Sequence, residues 1–214
     1  MSERLTRYAK LDPATGRADL FRPARRGEKR FGAGVKCTVL ENGGVDKGGA
    51  TLEFKTAERL GANDQSVFLA ICALAGIAAD NDTIVGGTVS TDSDDDVLMQ
   101  IRPNGEYSDR EEPVRFWTSH YRILRESGLN ARGKTVYDEL RAIFDRLGSI
   151  TTTEQFRQGN KRVPTNQDRL LVYQIDDAGD ASITISPRLA RAVIGIEARY
   201  AKIWLTERRK LKTD

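Results

Sequence analysis

Apolar residues recur at helical spacing between residues 134 and 148. Val136, Leu140, Ile143 and Leu147 fall on one narrow stripe, while Arg141 and its polar neighbours lie on the opposite face. Gly148 follows the last stripe residue, where a left-handed helix cap costs glycine least. The pattern predicts a helix that buries one flank and presents Lys134, Thr135 and Arg141 to a partner.

A shorter helical segment containing Tyr121, Ile123 and Leu124 precedes this helix, and Gly128 lies in the short segment between the two. Two helices joined by a short turn that contains glycine are typical of a helix-turn-helix. An earlier helix is predicted over residues 63–79, with Asn63 as its N-cap and an apolar face for the core. The apolar positions of that helix are Val67, Phe68, Ile71, Leu74 and Ala75.

Several segments alternate between apolar and polar residues as strands do. They are residues 35–41, 51–54, 149–156, 170–175, 181–185 and 200–205, with a helix beginning at Pro187 before the last of them. We expect strands 149–156 and 170–175, with the basic segment RQGNKRVPTNQD between them, to form a wing. The predicted fold is therefore α+β, a winged helix-turn-helix with a β-hairpin wing and an N-terminal basic arm.

Charge is distributed unevenly along the chain. The net charge is +3, but residues 80–112 contain ten Asp or Glu against only Arg102 and Arg110, so the remainder is strongly basic. Such a balance suits a polyanion, with nucleic acid the first candidate. We divide the chain into a flexible basic arm over 1–34, a DNA-binding domain over 35–195 with an acidic insertion at 80–112, and a C-terminal strand and basic tail over 196–214.

Other site classes find little support in the sequence. Cys37 and Cys72 have no further ligand near them and are expected to be reduced core residues of a cytoplasmic protein. His120 lacks a nearby nucleophile or acid in sequence and is expected to pack or to lie at the surface. The consecutive aspartates at 94–96 lack the spaced ligands of a calcium loop. We expect no cofactor, no metal, no signal peptide and no membrane span.

One motif favours a different class of protein. Residues 128–135, GLNARGKT, satisfy the phosphate-loop pattern of nucleotide hydrolases, with Lys134 reaching phosphates and Asp176 as a magnesium ligand. That loop requires a buried strand immediately before it, whereas TSHYRILRES has helical character. Asp176 also opens the turn DDAGD, which explains an acid there without a metal. The nucleotide hydrolase remains the alternative of another class.

The order of these features resembles the RepC-type replication initiators of broad-host-range IncQ plasmids. The likeness is carried by LFRPARRGEKR at 20–30, LEFKTAERLGANDQSVFLAICALAG at 52–76, SHYRILRESGLN at 119–130 and ITISPRLARAVIG at 183–195. The resemblance implies a non-enzymatic protein that binds direct repeats in double-stranded origin DNA, helps to open the origin and lets the plasmid helicase and primase load. A homodimer is also compatible with it. The family has two winged helices, and this chain ends where the second is expected to begin.

The resemblance implies DNA contacts at the basic positions of the motif. These are Arg132, Lys134, Thr135 and Arg141 on the helix and Arg157, Lys161 and Arg162 on the wing. The arm adds Arg25, Arg26, Lys29 and Arg30, for which phosphate contact and an ordinary disordered leader are both open. A winged-helix transcription regulator is the alternative among binding proteins, because one fold serves several functions.

Overall fold

A computed structural model describes residues 6–21, 36–41, 49–80, 101, 113–130, 133–158, 161–176, 179–194 and 200–210. The chain is a mixed α+β fold in which helices pack against antiparallel sheets. In order along the chain, the elements are β1 (Tyr8–Leu11), α1 (Pro13–Arg17), β2 (Lys36–Glu41), β3 (Ala50–Lys55), α2 (Ala62–Asp80), β4 (Val114–Ser119), α3 (His120–Ser127), α4 (Lys134–Gly148), β5 (Thr151–Gln158), β6 (Lys161–Arg169), β7 (Leu171–Ile175), β8 (Asp180–Ile185), α5 (Pro187–Ile194), β9 (Ala201–Trp204) and α6 (Leu205–Arg208).

The described strands form three antiparallel sheets. Their orders are β1–β9, β2–β3–β5–β6 and β4–β8–β7. The predicted strands at 149–156 and 170–175 are both present, but the prediction that they pair with each other is wrong. β5 pairs with β6, which occupies most of the predicted loop, and β7 pairs with β8. β6 contains Pro164, which a strand at a sheet edge tolerates because one side of its backbone has no ladder partner.

Helix α2 forms the centre of the core. Its residues from Val67 to Ala75 are all buried, and it contacts α3, α4, α5 and β1. The predicted N-cap at Asn63 is wrong, because the helix begins at Ala62. The Asp64 carboxylate instead turns back to accept the Gly61 N–H at 2.6 Å, which satisfies one of the donors left free at a helix start.

The length and composition of Ala62–Ala79 also meet the requirement for a membrane span, contrary to the expectation from sequence. Within the described residues, 61% of this window is buried inside the protein. A buried core helix meets the same requirement, so the composition of α2 is accounted for by its place in the core.

The prediction of a flexible arm over residues 1–34 is wrong for residues 6–21. β1 pairs with β9 in the register Tyr8↔Trp204, and Ala9, Leu11 and Ala14 are buried in the core. Asp12 is the N-cap of α1, and its carboxylate accepts the Thr15 N–H at 2.7 Å. The basic residues Arg25, Arg26, Lys29 and Arg30 lie outside the described residues.

The predicted tail at 196–214 is likewise part of this fold over residues 200–210, where β9 and α6 lie against β1. Most of the predicted acidic insertion at 80–112 lies outside the described residues; of it, Ile101 is fully buried in the core.

Candidate nucleic-acid interface

Two helices and a left-handed turn build the central motif. Ser119 caps α3 by accepting the Arg122 N–H at 3.3 Å, and α3 ends at Gly128, whose φ is 80°. The Leu129 N–H then bonds to the Leu124 carbonyl at 3.1 Å, closing the helix end. A side chain at position 128 would meet Arg209 at 3.1 Å as well as a strained backbone, so glycine is required there.

Helix α4 is fixed to the core by the predicted stripe. Leu140, Ile143 and Leu147 are buried and Val136 is partly buried, as the sequence predicted, and Phe144 adds a further fully buried ring. Phe144 stacks on Tyr173 of β7, with ring centroids 4.8 Å apart. One flank of α4 is therefore held rigidly, and the opposite flank is left to solvent.

Two polar contacts set the orientation of α4, and neither has a local signal in the sequence. Arg146 donates from Nε and Nη2 to the Asp64 Oδ1, each at 2.7 Å, and the Asp64 side chain is fully buried. The Tyr173 hydroxyl donates to Asp145 at 2.5 Å. Burial, followed by this bond, raises the pKa of Tyr173, so its hydroxyl stays protonated and remains a donor. These partners are 82 and 28 residues apart in sequence.

The solvent-facing flank of α4 carries charges of both signs. Thr135 and Arg141 are exposed as predicted, together with Asp138, Glu139 and Asp145. Glu139 accepts the Asn63 amide at 3.1 Å, and Asp145 is held by Tyr173. Two of these three acids, Glu139 and Asp145, thus have a neighbouring side chain as a hydrogen-bond donor.

The predicted basic sites lie in two places along the chain. Lys134 is the first residue of α4, although its side chain lies outside the described residues, as does Arg132 altogether. In the β5–β6 hairpin, Arg157 is directly opposite Arg162 and Lys161 is opposite Gln158. The backbone therefore brings the three basic residues Arg157, Lys161 and Arg162 together at one hairpin end. The side chains of these three residues lie outside the described part of the chain.

His120 packs beneath this motif. Its ring is buried against Tyr137 and Phe144, at centroid distances of 6.1 and 6.2 Å. The pKa of His120 is lowered, first by burial and then by the positive charge of Arg141, against which Asp176 and Asp180 act weakly in the other direction. The packing role expected from the sequence is confirmed.

The requirements of a phosphate loop are not met before residue 128. The segment that precedes GLNARGKT is helix α3, where a strand would be needed. The Asp176 carboxylate accepts the Asp180 N–H at 2.8 Å, within the β7–β8 turn. Within the described ranges there is no group of three or more His, Cys, Asp or Glu that could hold a metal, and the aspartates at 94–96 lie outside those ranges.

A family model described as Replication protein C (RepC) matches residues 4–214, nearly the whole chain. The chain belongs to the RepC family. RepC is a family of replication initiators. No curated protein matches this RepC-family chain.

The solved structures that match the chain include two of a protein called RctB. One is a crystal structure of selenomethionine derivatives of its domains 2 and 3, with a TM-score of 0.47, and the other is of residues 155–483, with a TM-score of 0.46. Each is 12% identical, and the match covers 82% of this chain and 57% of the RctB chain. The RepC-family chain thus spans just over half the length of these structures.

Proposed function

We propose that this chain initiates plasmid replication by binding direct repeats in double-stranded origin DNA, with α4 in the major groove. The observation that carries the proposal is the geometry of α4. One flank is buried, the other presents Thr135 and Arg141, and Gly128 joins the helix to α3 through a left-handed turn. A recognition helix contacts base edges mainly with its N-terminal residues, which here include Lys134 and Thr135.

The winged-helix assignment is part of this proposal. Its support is the packing of α2, α3 and α4 with a three-stranded antiparallel sheet of order β4–β8–β7. In this sheet β4, the strand before α3, pairs with β8. The β7–β8 turn carries Asp176 and Asp180, which suit phosphates poorly. We therefore assign the wing role to the β5–β6 hairpin, with Arg157, Lys161 and Arg162 contacting the DNA backbone.

The proposal includes further basic residues from the sequence. We assign Arg132, two positions before the start of α4 in sequence, and the basic residues Arg25, Arg26, Lys29 and Arg30 to the proposed interface as additional positive charge. The proposed action takes place in the cytoplasm, without catalysis by this chain, and helps the plasmid helicase and primase to load at the opened origin. A homodimer would match pairs of repeats.

The experiment is a fluorescence anisotropy titration of repeat duplex and of random duplex with Arg141→Ala. Because Arg141 is exposed on α4, we expect the fold to survive and the affinity for the repeat to fall by roughly 5- to 150-fold, the equivalent of about 1 to 3 kcal/mol for one base contact. Arg17→Ala is the matched control, because Arg17 is an exposed arginine on α1 outside the interface. Equal affinity of the Arg141 variant and the parent for the repeat would refute the assignment of α4.

A second titration separates this function from the nucleotide hydrolase. The titration with magnesium and nucleotide compares the parent protein with Lys134→Ala. We expect Lys134→Ala to leave nucleotide binding unchanged and to lower the affinity for repeat duplex. Nucleotide binding abolished by Lys134→Ala, with repeat binding intact, would make the phosphate loop the working assignment despite the helix that precedes it.

A further inference from the structure

The β1–β9 ribbon, formed by Tyr8–Leu11 and Ala201–Trp204, has one apolar face and one aromatic and basic face. Ala9 and Leu11 are buried on the core side, and Ala201 and Ile203 pack against the core. Because side chains alternate along a strand, the intervening residues share the outer face. The outer face presents Tyr8, Lys10, Lys202 and Trp204, and Tyr200 continues it just before β9.

The aromatic rings of the outer face are left open to solvent. Trp204 is 51% exposed and Tyr200 is 41% exposed, although large aromatic side chains usually contribute to a core or an interface. Tyr8 and Trp204 are directly opposite each other and meet edge to face, with ring centroids 6.0 Å apart. This contact holds the Trp204 ring in place while leaving about half of the side chain available to a partner.

Two lysines are placed among these rings. Lys202 Nζ lies 4.1 Å from the centroid of the Tyr8 ring and 4.7 Å from that of Trp204, and Lys10 Nζ lies 5.3 Å from Tyr200. Lys10 and Lys202 are direct cross-strand partners, an arrangement of like charges that opposes pairing. Within the residues that the structure describes, neither lysine has a carboxylate partner, so the rings alone moderate this repulsion.

Rings for stacking combined with cations for phosphates are the chemistry of a single-stranded nucleic-acid platform. Every base has a flat π face, so stacking on Trp204 and Tyr200 needs no particular sequence, and lysines can follow the backbone of the strand. A duplex hides its base faces within the stack, so these rings could not stack on its bases. We infer that the β1–β9 ribbon binds an unpaired DNA strand, at a site separate from the duplex interface on α4.

The charge of the face favours this occupant over a protein partner. A protein interface is depleted of lysine at its centre, whereas here Lys10 and Lys202 occupy the middle of the ribbon with aromatic rings around them. The inference goes beyond repeat binding: it assigns a second ligand class, which an initiator would meet once a duplex has been opened.

The test is the binding of fluorescein-labelled oligo-dT to the full chain, because oligo-dT forms no duplex. We expect binding that weakens as salt rises, and a loss of at least about fivefold in affinity for Trp204→Ala, the lower limit for removing one stacking ring. Trp204→Phe should retain most of the affinity, because phenylalanine keeps a stacking face. Lys202→Gln should weaken binding and make the salt dependence shallower.

Trp117→Ala provides a matched control. Trp117 of β4 is 52% exposed and lies beside Arg115, whose guanidinium is 5.0 Å from the ring centroid, so it has the same surface chemistry in another sheet. Repeat-duplex binding is measured in parallel. We expect Trp204→Ala to weaken oligo-dT binding alone and Arg141→Ala to weaken repeat binding alone, so that the two proposals can fail separately.

Three results would overturn the inference. The first is no binding of oligo-dT by the parent protein. The second is an equal loss for Trp117→Ala and Trp204→Ala, or an equal effect of Trp204→Ala on duplex and single strand. The third is a Trp204→Ala variant that binds oligo-dT as the parent does but has an altered sedimentation coefficient, which would make the ribbon a protein interface. If Trp204→Ala does not fold, the Lys202→Gln and Trp204→Phe comparison decides by the same criteria.

Discussion

Single buried charges hold the proposed recognition helix in place. Asp64 lies at the start of α2 and Arg146 in the last turn of α4, and their contact joins the central core helix to the helix assigned to DNA. The carboxylate also accepts the Gly61 N–H, so both of its oxygens are engaged. A shift of α4 relative to α2 would therefore break a buried ion pair as well as apolar packing.

Arg146→Ala is expected to destabilise the protein by roughly 3 to 5 kcal/mol, because it leaves the buried Asp64 carboxylate without its partner. Urea unfolding followed by circular dichroism measures the change. Lys210→Ala is the control, since its pair with Glu207 is exposed on both sides and contributes little. A change of less than about 1 kcal/mol in Arg146→Ala would show that water or another donor replaces the arginine.

His120 predicts a pH dependence of stability. Burial and the charge of Arg141 lower the pKa of the folded state below that of the unfolded state, so the unfolded chain takes up the proton more readily. The stability provided by neutral His120 is therefore complete above the unfolded pKa, about 6.5, and is lost as pH falls from there towards the lower folded pKa.

The measurement is the free energy of unfolding as a function of pH for the parent and for His120→Phe. We expect the parent to lose stability more steeply on acidification than the variant, which has no imidazole to protonate. Parallel pH curves for the two proteins would mean that His120 contributes nothing to the dependence. An NMR titration of the His120 ring in Arg141→Ala should show a raised pKa, because a neighbouring positive charge is removed.

At the scale of elements, the sequence predicted helices better than strand partners. The stripe of α4 and the Gly128 turn were evident because both depend on residues a few positions apart. The segment of β6, KRVPTNQDR, lacks apolar alternation and contains Pro164, so the sequence predicts a loop there; its strand conformation depends on pairing with β5. The segment of β4, VRFWTS, is rich in β-branched and aromatic residues that favour a strand. Its pairing with β8 has no local signal, because β8 lies far along the chain.

The β5–β6 hairpin carries a prediction of its own. Replacing Arg157, Lys161 and Arg162 together by alanine should weaken binding to repeat and random duplex alike, since phosphate contacts are independent of sequence. The slope of log Kobs against log salt should become shallower by up to about 3, near 0.9 for each phosphate that is no longer neutralised.

The control for the hairpin removes cations from the same sheet outside the hairpin. Lys36→Ala with Lys55→Ala deletes two lysines that pair with Glu53, at 2.5 and 2.8 Å, and should leave the salt slope unchanged. If the hairpin variant instead loses its preference for the repeat while random duplex is bound as before, the hairpin reads bases and its assigned role is wrong.

At the scale of the whole molecule, the three sheets share one core through α2. Charge and proline predict boundaries between an arm at 1–34, a domain at 35–195 and a tail at 196–214, whereas burial joins the described parts of the two ends to the middle. Arg188 shows this joining, because its guanidinium contacts Asp12, Glu41 and Glu154 and so connects α5 with α1, β2 and β5. No local pattern could reveal a contact among four separate segments.

The pairing of β1 with β9 has a consequence for how the chain folds. Tyr8 and Trp204 are 196 positions apart (204 minus 8), so nearly the full length of the described chain must be closed into a loop before their strands can meet. Contacts of such high sequence separation slow folding, because closing the long loop costs conformational entropy. That cost is offset only once the intervening core exists. We expect the ribbon to form late, on a core already assembled around α2. A nascent chain would therefore hold β1 unpaired until β9 has been synthesised.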